Sequence, residues 1–104
     1  MQHLQAIADP TRAHILEMLA AQGSMTAGEI VARFTMSAPA ISQHLKVLKE
    51  AGLVTVEVKA QSRIYRLNPE GLAVIKAWLD ELTHVWTEKF DALEQVLKQD
   101  TSET

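Results

Sequence analysis

A chain of 104 residues with 47% apolar and 22% charged content is sized for one globular unit with a single modest core. It has no cysteine, which excludes a disulfide framework, thiolate metal sites and cysteine nucleophiles, and fits a cytoplasmic location. The net charge of −3 looks wrong for a nucleic-acid binder, but the charge is unevenly spread. Residues 37–67 carry Lys46, Lys49, Lys59, Arg63 and Arg66 against Glu50 and Glu57, while residues 68–104 carry three lysines against eight acids. No run approaches the ~18 apolar residues of a membrane span. The start, MQHLQAIADP, lacks the apolar core of a secretory leader, so no membrane partner is expected.

In chain order, a short helical piece carrying Leu4 and Ile7 comes first. Asp9 followed by Pro10 reads as an N-cap and first helical position; Ile15, Leu16 and Leu19 then share a face, and Gly23 closes the helix. Thr26 to Glu29 has capping-box spacing and opens a short helix carrying Ile30, Val31 and Phe34. Ser37 caps the next helix, with Pro39 in its first turn, where a missing N–H is harmless. Ile41, Leu45 and Leu48 form its apolar stripe, and Gly52 ends it.

After Gly52 the period changes to two. Val54, Val56 and Val58 alternate with Thr55, Glu57 and Lys59, and RIYRL follows a short polar turn. Pairing Val56 with Tyr65 places Val54 opposite Leu67 and Val58 opposite Arg63. The result is a two-stranded hairpin that must lean on the helices. Asn68, Pro69 and Glu70 start a final helix over about 69–98, with a frayed polar tail expected from Gln99. Leu72, Ile75, Leu79, Leu82, Trp86, Phe90, Leu93 and Leu97 repeat along it at steps of three and four, beside a second strip of Val74, Trp78 and Val85. One small unit cannot cover both strips, so a second copy of the chain is the expected cover, with Leu4, Ile7, Leu79, Leu82, Trp86, Phe90 and Leu93 at the dimer seam.

The expected fold is mainly α with a small β-hairpin, in the order α-α-α-α-β-β-α. It is a winged helix-turn-helix spanning residues 1–104, with a recognition helix over about 37–51 and a wing over about 53–67. The recognition helix of such a motif presents its first residues to base edges in the major groove. Beside its apolar stripe the exposed positions are Ala38, Pro39, Ser42, Gln43, Lys46 and Lys49. Gln43 can pair bidentately with adenine, Ser42 can donate or accept, and Ala38 can meet a thymine methyl. Ser37 and the first amides form a helix N-terminus suited to phosphate. Lys46, Lys49 and the wing residues Lys59 and Arg63 supply sequence-independent phosphate contacts. Tyr65 joins this set as the wing residue opposite Val56.

Three stretches, ADPTRAHILEMLA, SAPAISQHLKVLKEAGLV and RIYRLNPEGLAVI, resemble the ArsR/SmtB family of bacterial winged-helix repressors. The resemblance runs from about Leu4 to Leu97. It implies a homodimer built on the first and last helices, binding an inverted-repeat operator in double-stranded DNA until an inducer weakens the complex. The chain departs from the family pattern in three places. It lacks the Cys–x–Cys of thiolate metal sensors. It has Ala38 where many members are polar or basic, and Ala60 and Gln61 where the wing tip usually has Gly and Arg. The last helix resembles the metal-independent branch.

His44, inside the middle motif, is expected to fix helix packing by a hydrogen bond, with a phosphate contact as the second reading. His84 lies at helical spacing from Asp80 and Glu88, a weak metal pattern, so no metal and no cofactor are expected. His3 and His14 take no role. With no phosphate loop, nucleophile elbow or zinc-protease motif, an enzyme is not expected. The rival reading is a winged helix used only for protein contact, with its recognition face blunted by Ala38, Pro39 and Ala60.

Overall fold

The computed structural model describes residues 2–102. It runs α1 (Gln2–Ile7), α2 (Pro10–Gln22), β1 (Met25–Thr26), α3 (Ala27–Val31), α4 (Ala38–Glu50), β2 (Val54–Lys59), β3 (Ser62–Leu67) and α5 (Pro69–Ser102). The helix starts obey local chemistry. Asp9 Oδ1 accepts from the backbone N–H groups of Thr11 (2.8 Å) and Arg12 (3.1 Å), satisfying two donors at the head of α2. Thr26 Oγ1 accepts from the Glu29 amide at 3.1 Å, while Glu29 Oε1 accepts from the Thr26 amide at 3.3 Å, completing a capping box. Ser37 Oγ accepts from the Ala40 amide at the head of α4.

The exit from α4 is a Schellman turn. Gly52 sits at φ 76°, its N–H donates to Lys49 O, and the Leu53 N–H reaches back to Leu48 O. That turn seals Leu53 in the core and aims the chain into β2. The hairpin register is Val54 with Leu67, Val56 with Tyr65 and Val58 with Arg63.

Three features depart from the sequence expectation. The sheet has three strands, in the order β1-β3-β2, because Met25 and Thr26 pair with Tyr65 and Ile64 on the free edge of β3. Two residues are too few to show an alternating run. Their pairing covers one edge of β3 and buries Met25. Next, α3 ends at Val31, so Phe34 falls in the connection to α4, where its ring meets His14 edge-on at 5.4 Å. Finally, α5 continues past Gln99 to Ser102, since no Gly or Pro follows Gly71 to stop it.

Ile15 and Leu19 of α2, Ile30 of α3, and Ile41, Leu45 and Leu48 of α4 meet Leu53 in a sealed core. Only the base of α5 joins it, through Leu72 and Ile75. A helix of 34 residues is about 51 Å long, and the chain's longest dimension is 73 Å. The radius of gyration is 20.2 Å, against about 13 Å for a compact chain of this length, so α5 projects out of the body. On the projecting part Leu79, Leu82, Trp86, Phe90 and Leu93 are all exposed, Phe90 by 61%. Leu4 and Ile7 on α1 are half-buried.

Candidate nucleic-acid interface

The exposed side of α4 follows from its apolar stripe. With Ile41, Leu45 and Leu48 turned inward, Ala38, Pro39, Ser42, Gln43, Lys46 and Lys49 stand in solvent, as does the cap, Ser37. The hairpin folds back beside this face and leaves a groove of about 310 Å³ between helix and wing. Ser42, Gln43, Lys46 and Lys49 line it from α4; Val58 and Arg63 line it from the wing. Lys46, Lys49, Lys59 and Arg63 make no ion pair among the described residues. By contrast Arg66 on the other face of the wing is held by Glu57 at 3.0 Å. The groove therefore presents uncompensated positive charge beside a hydrogen-bonding helix face. That arrangement suits a polyanion whose base edges enter between the charges.

The register separates two residues that the sequence reading grouped. Arg63 pairs with Val58 and shares the face of Tyr65 and Val56, toward α4. Lys59 pairs with Ser62 and shares the face of Glu57, away from the groove. Tyr65 is 6% exposed and packs in the core, so it backs the groove rather than standing out from it. Val58, 67% exposed, reads in the sequence as one more inward strand residue. It lies near the tip, beyond the reach of the core, where an exposed methyl pair can meet sugar or a thymine methyl.

His44 is tied down from within. Arg12 Nη1 lies 3.3 Å from His44 Nδ1. A guanidinium has no acceptor, so Nδ1 accepts and the neutral ring carries its proton on Nε2. The same guanidinium donates from Nε to Ala6 O at 2.6 Å and from Nη2 to Gln5 O at 3.2 Å. Arg12 thus joins the last carbonyls of α1 to the recognition helix. Nothing in the sequence marks this contact, which spans 32 positions.

On α5, His84 Nε2 pairs with Glu88 at 3.1 Å while Asp80 turns to Lys76 at 2.8 Å, so the three do not converge. Among the described residues no group of three such side chains could hold a metal ion. Among them, too, no helix is long and apolar enough to cross a membrane.

The family profile described as bacterial regulatory protein, arsR family, matches residues 9–56, from the cap of α2 into the first wing strand. The HTH-type transcriptional regulator Rv2034 of Mycobacterium tuberculosis is 40% identical over 100 residues, covering 96% of this chain and 90% of its own length. The chain belongs to the arsR family of bacterial regulatory proteins. The transcriptional repressor SdpR of Bacillus subtilis is 43% identical over 75 residues, covering 72% of this chain and 82% of its own. An ArsR-like transcriptional regulator from Rhodococcus sp. RHA1 superposes with a TM-score of 0.77 at 26% identity, over 94% of this chain and 89% of that one. This arsR-family chain is a winged-helix, DNA-binding transcriptional regulator and not an enzyme.

Proposed function

We propose that residues 1–104 form one unit that works in the cytoplasm as a homodimeric repressor, binding an inverted-repeat operator in double-stranded DNA. The observation that carries this reading is the pairing of two incomplete surfaces: a basic groove between α4 and the wing and an apolar strip on α5, neither of them covered or compensated among the described residues. A second copy packed along α5 and α1 buries Leu79, Leu82, Trp86, Phe90 and Leu93, together with Leu4 and Ile7. Such an interface buries well over ~1,000 Å² in total.

In this reading Ser42 and Gln43 address base edges, with Ala38 and Val58 making apolar contact. Lys46, Lys49 and Arg63 hold phosphates, as do the amides at the head of α4 beside Ser37 and Pro39. His44 presents its Nε2–H to a phosphate while Arg12 holds the other side of the ring. Two recognition helices related by a two-fold axis enter successive major grooves, so the half-sites lie one helical turn apart or a multiple of it.

The test couples light scattering with fluorescence anisotropy on the duplex upstream of the regulator's own gene, across a salt series. A stable dimer whose affinity falls steeply with salt, on this duplex and more weakly on random DNA, supports the reading. A stable monomer at micromolar concentration, or equal affinity for both duplexes, overturns it.

A further inference from the structure

A second cavity adjoins the basic groove and shares Ser42, Leu45, Arg63 and Tyr65 with it. It has a volume of about 340 Å³, within the lower range of small-molecule sites, and sits where α3, α4 and β3 meet. Its walls are kept open by small residues: Ala27 and Gly28 at the head of α3, and Ala38 at the head of α4. A Cβ on Gly28 would meet only the Thr26 hydroxyl, so the space there is free. Val31 and Leu45 supply an apolar floor.

Against that floor stand three polar groups without partners among the described residues. The Arg63 guanidinium has no carboxylate, the Ser42 hydroxyl makes no hydrogen bond, and the Tyr65 hydroxyl makes none although its ring is packed in the core. No acidic side chain lines the cavity. One unpaired cation, two hydroxyls and an apolar floor recognise a compact carboxylate with an apolar body. The cation fixes the acid group through charge-assisted hydrogen bonds, and the floor takes the rest.

We propose that this cavity is the effector site of the regulator, that its ligand is a small aliphatic or aromatic carboxylate, and that occupancy and DNA binding exclude each other. This rests on the DNA-binding reading above. The exclusion is steric and electrostatic. Ala38 and Ser42, at the start of the recognition helix, are covered by the occupant, and its carboxylate takes the guanidinium of Arg63 that otherwise holds a phosphate. An effector acting here needs neither a cysteine nor a metal.

The test is amide correlation NMR on the labelled full chain without DNA, titrated with phenylacetate, with its neutral counterpart phenylacetamide, and with inorganic phosphate. Phenylacetate should shift the amides of Gly28, Val31, Ala38 and Arg63 saturably, with a Kd of about 0.1–1 mM. Phenylacetamide should bind about tenfold or more weakly, having lost a charge-assisted contact. In Arg63→Gln the two should bind alike. Phenylacetate should also displace operator DNA from the wild type, and Ala27→Leu, which fills the cavity from α3, should abolish the phenylacetate shifts.

If no saturable shift appears at those amides, the proposal is overturned. It is equally overturned if phosphate reproduces the shifts, since the cavity is then a seat for the DNA backbone. Arg63→Gln alters an exposed side chain and keeps the test decisive if Ala27→Leu misfolds. Failure of operator binding without any probe would sink the DNA reading alone, because the NMR arm contains no DNA.

Discussion

Gly71, in the first turn of α5, faces the carbonyl of Gly52 so closely that a Cβ on Gly71 would drive into that oxygen. The same carbonyl accepts from Asn68 Nδ2 at 2.7 Å, and the Asn68 amide donates to Leu53 O at 2.9 Å. The exit of the recognition helix and the entrance of the projecting helix are therefore stitched at one point. Gly71→Ala must push α5 away from that joint. It should cost about 1–3 kcal/mol, in the range for overpacking a tight contact, read as a lowered denaturant midpoint. Because α5 is the proposed dimer element, light scattering on the same variant should show a weaker dimer as well.

The second joint is Arg12 between α1 and α4. Replacing it with Met keeps much of the stem but takes the guanidinium donor from the Ala6 carbonyl, leaves the Gln5 carbonyl with the Ala8 amide, and removes the anchor of His44. Urea denaturation should show a loss of about 1–3 kcal/mol. Anisotropy should show operator affinity falling more than affinity for random duplex, since the helix that reads bases is the one freed. His44→Asn places an amide oxygen near the position of Nδ1 and should retain most of the stability. Equal stability losses in His44→Asn and His44→Ala would show that the ring nitrogen's bond to Arg12 does not matter.

Much of this architecture was readable because its signals are local. Asp9, Thr26, Ser37 and Asn68 each cap a helix with atoms within three residues, and the Val54–Val58 alternation fixes the wing register. The parts that were not readable depend on distant partners. β1 exists only because β3 offers it an edge, the Arg12–His44 contact bridges two helices, and the small walls of the cavity beside Arg63 come from three separate elements. The site was legible as a helix face and only partly as a surface. Pattern alone put Lys59 with Arg63, and strand pairing then turned them to opposite faces.

Asp9 gives the chain a defined acid sensitivity. Its carboxyl is held below the usual aspartate value chiefly by the hydrogen bond from the Arg12 amide, helped by the Thr11 amide and by the charge of Arg12, against a smaller opposing effect of burial. A carboxylate whose folded pKa is depressed adds stability above its unfolded pKa, and that stability is lost as pH falls through the folded value. Asp9→Asn keeps a capping oxygen but cannot titrate. The stability gap between wild type and Asp9→Asn should stay constant near neutrality and shrink once pH drops below about 4, as measured by urea melts at each pH. A gap that widens with acid would contradict the assignment.

The wing tip carries a conformational cost. Ala60 sits at φ 54°, in the left-handed region that a Cβ disfavours. Ala60→Gly should relieve the strain and, after allowing for the greater freedom of Gly in the unfolded chain, stabilise the protein by about 0.5–1 kcal/mol. The check is a raised melting temperature with the hairpin amides protected from hydrogen exchange for longer. Pro at Ala60 should do the reverse, because its ring forbids positive φ.

The final prediction separates base reading from phosphate holding. Gln43 stands in the groove on the helix side and Arg63 on the wing side, both free of partners among the described residues. Gln43→Ala should cost about 1–3 kcal/mol on the operator and little on random duplex, which narrows the specificity ratio. Arg63→Ala should weaken both duplexes by similar factors and reduce the salt slope by about one unit per protomer, so about two per dimer. Lys59, turned to the opposite face with Glu57, should change the slope less than Arg63 when each is replaced by Ala. All variants are compared by anisotropy on both duplexes across one salt series. If Gln43→Ala loses affinity equally on both, the recognition helix is not reading bases. If Lys59→Ala matches or exceeds Arg63→Ala, DNA approaches the wing from the face opposite the groove, and the phosphate path has to be redrawn around Lys59 and the outer surface of β2.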